Sequence, residues 1–545
     1  MTHRAAVVSP CPPQAFSRHP RRLGVPLPLL LLLFMGVLAV AEGRGAGTLT
    51  LLHTNDLHSE LESFPDASST GRLGGIARQA EMIAAIRRER PHTLVVGAGD
   101  QVQGTPFFQV FQGMAETEAL SLAGYDFVTL GNHELDLGLP ALARNLAAAS
   151  YTMLCANVFT AKDLRPVFRP YRVVTVGSLT VGLIGVIGDP AWNDQGAPIR
   201  RRLLQIEPGA VLRSLVAHLR PVVDLVVVLS HSGLEIDRRL AREVPGIDAI
   251  VGAHDHYALA TVTEVLAAQA AAGAPPALIV QAGDRGRFLG RLDLTIDGEG
   301  CRSHRFDLLP VLTPASGTSG ATDAAGLPAH PVQALVASYG RRLAAIMDTP
   351  ITEAPRGFFY DRNRRDKEFL PLGTLTCEAF RHLTGAEIGI INSGGVRAAI
   401  PSGTVTLRHL YQALPYDNTV TVVTMTGAEL AAFLDGLCRN WLTNITGYQL
   451  AGLTASFDTR RQAVSDIRVE GKPLEPGRRY RLATSSFLTA DPLRKGVFGP
   501  FLDTLEDSGV LMRDALGRLL REVPDLPPLN APAITITGPR PTGFP

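Results

Sequence analysis

Residues 49–58 read LTLLHTNDLH, an apolar run that passes directly into Asp56 and His58. Four later stretches share that layout. TLVVGAGD (93–100) ends on Asp100, FVTLGNHELD (127–136) delivers Asn132, His133 and Asp136, LVVVLSHS (225–232) delivers His231, and AIVGAHDH (249–256) delivers His254 and His256. Each run reads as a short strand. A twisted sheet gathers the carboxyl ends of its strands along one rim, so ligands up to two hundred residues apart in the chain converge there. A lone Asp or His after a strand is ordinarily a helix cap or a turn residue. Five repeats of one layout, taking up five of the fourteen histidines, point instead to a shared metal site.

Between Leu49 and about Ile296 these runs alternate with helical stretches such as GGIARQAEMIAAIRRER and PGAVLRSLVAHLRPVV. The alternation predicts a layered α/β domain over 48–309. Residues 310–350 follow as a Gly/Ser/Thr/Ala/Pro-rich connector and one joining helix from about His330 to Met347. From 351 to 537, strands such as TVTVVTM, LTASFD and YRLATSSF mix with helices such as GTLTCEAFRHLT and GAELAAFLDGLCRNWL, which predicts a smaller α+β domain. The fold class is therefore α/β, with a metal site at strand ends, followed by a substrate-binding domain.

A length of 545 residues exceeds one core, and 46% hydrophobic with 19% charged residues fits a folded globular chain. A net charge of +1 gives no global attraction to a nucleic-acid polymer or an anionic membrane, so an anionic ligand must be held by local groups. At the amino terminus, Arg18, Arg21 and Arg22 precede an apolar run from Leu29 to Val40 and a small-residue exit at Ala39–Ala41. Residues 1–41 thus read as a signal peptide, which places the mature chain in the periplasm or outside the cell. The run is shorter than the roughly 20 residues that span a bilayer, so stable membrane insertion is not expected once the leader is cleaved; an uncleaved anchor is the alternative. Outside the leader, Cys155, Cys301, Cys377 and Cys438 form no CxxC pair, which excludes a zinc knuckle, while export permits a disulfide such as Cys377 with Cys438. The sequence leaves the oligomeric state open.

Asp56 and His58 lie at i, i+2 on one strand exit. Asp100 offers a carboxylate able to bridge two ions, and Asn132, His231, His254 and His256 complete two partial shells. Mixed imidazole, carboxylate and amide donors suit two divalent ions of Zn, Mn, Fe or Co, without choosing among them. Two such ions activate water and stabilise in-line displacement at phosphorus, so the expected chemistry is phosphoester hydrolysis. His133, beside a ligand but free of the ion, is the expected acid, and Asp136 comes back one turn later to orient its ring; a helix cap is the alternative for Asp136.

These blocks resemble the calcineurin-like metallophosphoesterases, and the whole mature chain is similar to the secreted 5′-nucleotidase family. The likeness rests on HTNDLH (53–58), GD (99–100), GNHELD (131–136), SHSG (230–233) and GAHDH (252–256). It implies Asp56, His58, Asp100 and His256 around one ion, and Asp100, Asn132, His231 and His254 around the other. Some relatives carry Gln where this chain has His256.

In the second domain, IINSGGVR (390–397), ALPYDNTV (413–420) and ATSSFLTAD (483–491) stand out. Glycines let backbone approach a ligand, and Arg397 offers paired donors for phosphate. The resemblance implies that Asn392, Gly394, Gly395 and Arg397 take the phosphate side of a nucleotide, and that Tyr416, where Phe is usual, and Phe487 flank its base. A further family arginine falls at Arg364 or Arg365. The family's Gly-Gly-Asp-Gly stretch after the second ring is absent here, and Asp491 is the nearest substitute.

The reading is a secreted metal-dependent phosphohydrolase of nucleoside monophosphates. On the same scaffold the alternatives are hydrolysis of a 2′,3′-cyclic nucleotide, a nucleotide sugar or a thiosulfate-type substrate. A non-catalytic nucleotide-binding protein is the alternative of another class.

Overall fold

The chain, seen in a computed structural model, is described over residues 45–65, 71–269, 274–297, 300–313, 330–361, 364, 368–443, 447–489, 498–523, 529 and 533–537. The leader at 1–41, most of the connector, Arg365 and Asp491 lie outside the described residues.

The first domain is built on two six-stranded sheets. In the first, the order is Gly300–Pro310, Phe288–Asp297, Gly47–Thr54, Thr93–Gly97, Phe127–Thr129, Thr152–Leu154, and the last four strands are parallel. In the second, four parallel strands (Ala277–Val280, Ala249–Val251, Leu225–His231 and Leu179–Ile187) are flanked by antiparallel edges. The sheets face each other across a core of Leu51, Val96, Phe127, Leu183, Val227, Val251 and Val280. Helices Ile76–Glu89 and Met114–Ala123 cover the outer side of one sheet, and Pro208–Leu219 and Leu234–Glu243 the outer side of the other. Four layers result. A central strand covered on both faces has no polar side, which is why Leu225–His231 is continuously apolar up to Ser230 and buried throughout.

The joining helix spans Pro331–Met347 and belongs to the first domain by packing. Val332, Val336, Tyr339, Leu343 and Met347 repeat at helical spacing and bury against the core of that domain. The Tyr339 hydroxyl bonds Glu118 Oε2 at 3.0 Å, and the Arg342 guanidinium lies 4.9 Å from the Phe111 and Tyr339 ring centres.

The second domain has a mixed sheet in the order Tyr448–Ala451, Ile388–Asn392, Arg479–Ser485, Thr419–Thr426, Glu506–Leu511. Helices Pro371–Thr384 and Met512–Glu522 cover one face and Gly427–Thr443 the other. Cys377 and Cys438 lie in the cores on these opposite faces, and all four described cysteines are free; the sheet between them rules out the pairing allowed by sequence. The run YRLATSSF is not one strand: it stops at Ser485, and Phe487 stands on a short helix, Ser486–Thr489. Among the described residues no helix is long and apolar enough to cross a membrane.

Candidate metal centre

The rim where the two sheets of the first domain meet carries an unusual backbone. Asp56, His58, Asp100, His254 and His256 have φ of 51°, 49°, 52°, 86° and 61°, the left-handed region that non-glycine residues enter at a cost of order 1 kcal/mol or more. Surrounding structure enforces it. Asp56 N–H donates to Gly99 O (3.1 Å), His58 N–H to Asp100 O (3.0 Å) and Ser59 N–H to Gln101 O (3.1 Å), so two strand exits run side by side. Gly99, at φ 93°, has no room for a side chain, since a Cβ there would lie 2.6 Å from His231 Nδ1.

Hydrogen bonds at the far ring nitrogens aim two imidazoles inward. His231 Nδ1 is 2.9 Å from Ala98 O and His58 Nδ1 is 3.2 Å from Gln103 O; in both cases the carbonyl requires the ring to donate. A ring held this way, once neutral, presents its Nε2 lone pair to the site. His231 Nε2 lies 3.1 Å from Asn132 Oδ1 and 3.4 Å from Asp100 Oδ2, while His58 Nε2 lies 3.1 Å from His256 Nε2, itself 3.6 Å from Asp56 Oδ1. Three overlapping donor groups emerge: Asp56, His58 and His256; His58, Asp100 and His133; Asp56, Asp100 and His231. Asp56, His58 and Asp100 each belong to two of them, and the two carboxylates among these three are the groups able to bridge a pair of ions.

Electrostatics agree with a cation-seeking site. Burial would raise Asp100, yet the His231 and His133 rings override it and hold the carboxyl well below its ordinary range. Burial works against charge on His231 too, but Asp100 and Asp56 push it up to about 10. His58 goes the other way, down to about 4, because burial outweighs Asp100. Burial raises Asp56 against the pull of His231. Two divalent ions fit this donor set, since carboxylates and imidazoles converge here and an ion would take the place of the proton that Asp100 and Asp56 draw onto His231.

The remaining residues on the rim divide by role. His133 Nδ1 is 2.8 Å from Asp136 Oδ2, and its Nε2 is 3.9 Å from Asp100 Oδ2. Burial lowers His133, but Asp100 and then Asp136 raise it to about 9. The turn that carries the pair is a 3-10 turn, His133–Leu135, and Leu137 caps the following helix, so Asp136 is not its cap. His254 donates its N–H to Asp56 Oδ2 at 3.0 Å, and its ring stands edge-on to His231 with centroids 5.2 Å apart; its nitrogens belong to none of the three donor groups.

Two supporting residues escape a reading of the sequence. Asn55 donates to Asp56 Oδ2 (2.7 Å) and Gly283 O and accepts Ala282 N–H (2.7 Å), tying a third loop to the site. Glu134 accepts the N–H groups of Asp100, Gln101 and Gly131. Both are flanked by stronger ligand types in HTNDLH and GNHELD, and only their third-dimension partners reveal them.

In the second domain the parallel strands Ile388–Asn392 and Arg479–Ser485 end where the antiparallel Thr419–Thr426 begins. Asn392, Phe487 and Tyr416 thus lie at one rim, with Phe487 42% and Tyr416 37% exposed. Gly394 and Gly395 form the short turn after Asn392. Arg397 Nη2 donates to the Tyr416 hydroxyl. Arg364 is paired with Glu368 at 2.5 Å and lies over the Phe359 ring. Burial raises Asp136 against the pull of His133, and Leu407 and Tyr411 of the second domain pack against the first-domain core.

Two facing sheets with Asp, Asn and His donors on one rim define a calcineurin-like phosphoesterase, and residues 49–258 match the family model of that description. Residues 348–492 match the 5′-nucleotidase C-terminal domain. The chain is 30% identical over 515 residues to a snake venom 5′-nucleotidase of Gloydius brevicauda, covering 85% of this chain and 84% of the relative. It is 28% identical over 495 residues to the 5′-nucleotidase of Bos taurus, covering 81% and 83%. A 5′-nucleotidase precursor from Thermus thermophilus superposes with TM-score 0.64 at 27% identity, covering 90% of this chain and 99% of that one. This chain belongs to the 5′-nucleotidase family, whose members are phosphoric ester hydrolases using two divalent metals.

Proposed function

We propose that this chain hydrolyses nucleoside 5′-monophosphates to nucleoside and phosphate. One observation carries the reading: Leu407 and Tyr411 of the second domain pack against the first-domain core, and Tyr416 and Phe487 stand part-exposed on that same second domain. Two part-exposed rings on the second domain, beside a phosphoesterase domain, support a phosphorylated ligand that carries a flat base.

In this reading Asp56, His58, Asp100 and His256 hold one ion, and Asp100, Asn132, His231 and His254 the other. When bound, such ions supply Lewis acidity toward phosphoryl oxygen and water. The protein's own groups do the rest. Water adds to phosphorus as the bond to the 5′ oxygen breaks, and His133, oriented by Asp136, gives that oxygen its proton. Arg397, Asn392 and the backbone at Gly394 and Gly395 take the phosphate, with Arg364 or Arg365 as a further cation. Tyr416 and Phe487 flank the base. Export fits the arginines and apolar run at 18–41, and the mature enzyme then acts in the periplasm or outside the cell.

The test is a panel of phosphate esters assayed with Mn and Zn. AMP should be hydrolysed with the highest kcat/KM, and a generic aryl phosphate turned over as well as AMP would sink the assignment.

A further inference from the structure

Residue 416 is a tyrosine, and its hydroxyl is engaged. Arg397 Nη2 donates to it, and the guanidinium carbon lies 5.3 Å from the centre of the Tyr416 ring. The backbone of Arg397 is held by its N–H to Ala413 O at 2.8 Å, while its Nε is buried and donates to no group among the described residues. The guanidinium is therefore fixed at one corner and keeps donors for an anion.

The loop that carries the ring is fixed in turn. Arg513 is buried, forms an ion pair with Asp417, donates Nη1 to Tyr416 O at 3.3 Å and packs its guanidinium 4.3 Å from the Tyr411 ring centre. Burial of an arginine is tolerated only when its charge and donors are matched, and here they are matched by the loop at 416–417. From Arg513 through the Tyr416 backbone to the phenol and Arg397 runs one chain of polar contacts.

We infer that the Tyr416 hydroxyl is a positioning group for Arg397, coupling the aromatic plate for the base to the cation that takes the phosphate. The inference rests on the nucleotidase reading above. A phenylalanine in the same place provides the plate without the coupling. A long, flexible arginine loses rotamer freedom whenever it clamps an anion, and an anchored one has lost that freedom beforehand. The hydroxyl thus lowers the KM of phosphorylated ligands and leaves binding of the bare nucleoside to the ring.

The test compares wild type, Tyr416→Phe, Arg397→Lys and the double variant as metal-loaded enzymes with matching thermal midpoints. Tyr416→Phe should raise KM for AMP and for ribose 5-phosphate about tenfold, the loss of one hydrogen bond to a charged group. Its kcat should stay within about twofold, and competitive inhibition by adenosine should be unchanged because the ring remains. The double variant should be no worse than Arg397→Lys alone. Unchanged KM for both substrates in Tyr416→Phe, full additivity in the double variant, or adenosine inhibition weakened in parallel would each overturn the coupling. Failure of the nucleotidase reading shows elsewhere, in wild type, as no preference for AMP and no inhibition by adenosine; the ribose 5-phosphate comparison still reads the hydroxyl in that case.

Discussion

One carboxylate oxygen of Glu134 accepts the backbone N–H of Asp100 at 3.1 Å and that of Gly131 at 2.7 Å, while the other takes Gln101 N–H at 2.8 Å. A single buried side chain thereby staples the strand exit of Asp100 to that of Asn132. Burial, with Asp100 adding, pushes Glu134 up to about 7. Glu134→Gln keeps the shape but turns an amide NH₂ toward backbone donors at one end. Outer contacts of this kind are worth roughly 10- to 100-fold in metal affinity or activity. The variant should show that loss in kcat/KM together with reduced metal retention on dialysis; wild-type retention would mean that the staple does not set ligand geometry.

The proposed bridging role separates Asp100 from His256. Asp100 belongs to two donor groups and His256 to one. Metal analysis after dialysis should find about two ions per wild-type chain, about one in His256→Ala and fewer than one in Asp100→Asn, as expected of a bridged pair. Chelation should abolish turnover, and added Zn, Mn or Co should restore it. Equal losses from the two substitutions would contradict the bridging role of Asp100.

Periodicity made much of this architecture legible. The strand runs at 49–54, 93–97 and 225–231 are apolar because facing layers bury them, and the ligand types follow immediately because rims are where strands stop. The joining helix also fell at its sequence-expected position, but its docking on the first domain depends on Tyr339 meeting Glu118, a pair 221 residues apart. Local pattern misled at YRLATSSF, where β-type residues continue past Ser485 although the chain has already turned into helix. It was silent on Glu134, whose three partners are defined only after two loops come together, and on Cys377 and Cys438, which a sheet separates.

Glu116 gives stability a pH dependence away from the ligands. It lies in the first turn of Met114–Ala123, 1% exposed, and burial pushes it up to about 7 from an ordinary 4.5, with the Ser59 hydroxyl opposing in part. A folded-state pKa above the unfolded one means that the native state holds a proton the unfolded chain has released. Its contribution is fully present below about pH 4.5 and is lost as pH rises through about 7, a change of about 3 kcal/mol. Glu116→Gln removes the titration. In denaturant unfolding the variant should gain stability over wild type at pH 8 relative to pH 5; a pH-independent difference would show that Glu116 stays neutral or finds a partner.

The His133 ring has Asp136 at one nitrogen and the Asp100 side of the site at the other. His133 also falls in a donor group with His58 and Asp100, and the proposed ligand sets leave it and Asp136 free for proton transfer. His133→Ala should therefore reduce kcat by 100-fold or more, in the range of a lost general acid, while two ions remain bound. Asp136→Asn retains a hydrogen-bonding group but not the charge that supports the imidazolium, so its loss should be about tenfold and the activity of substrates with better leaving groups should fall less. In His133→Ala that leaving-group sensitivity should be largest, because the departing oxygen has lost its proton donor. A uniform loss across leaving groups would place His133 in charge stabilisation at the phosphoryl group instead of proton transfer, and a loss of metal in step with activity would make it a ligand.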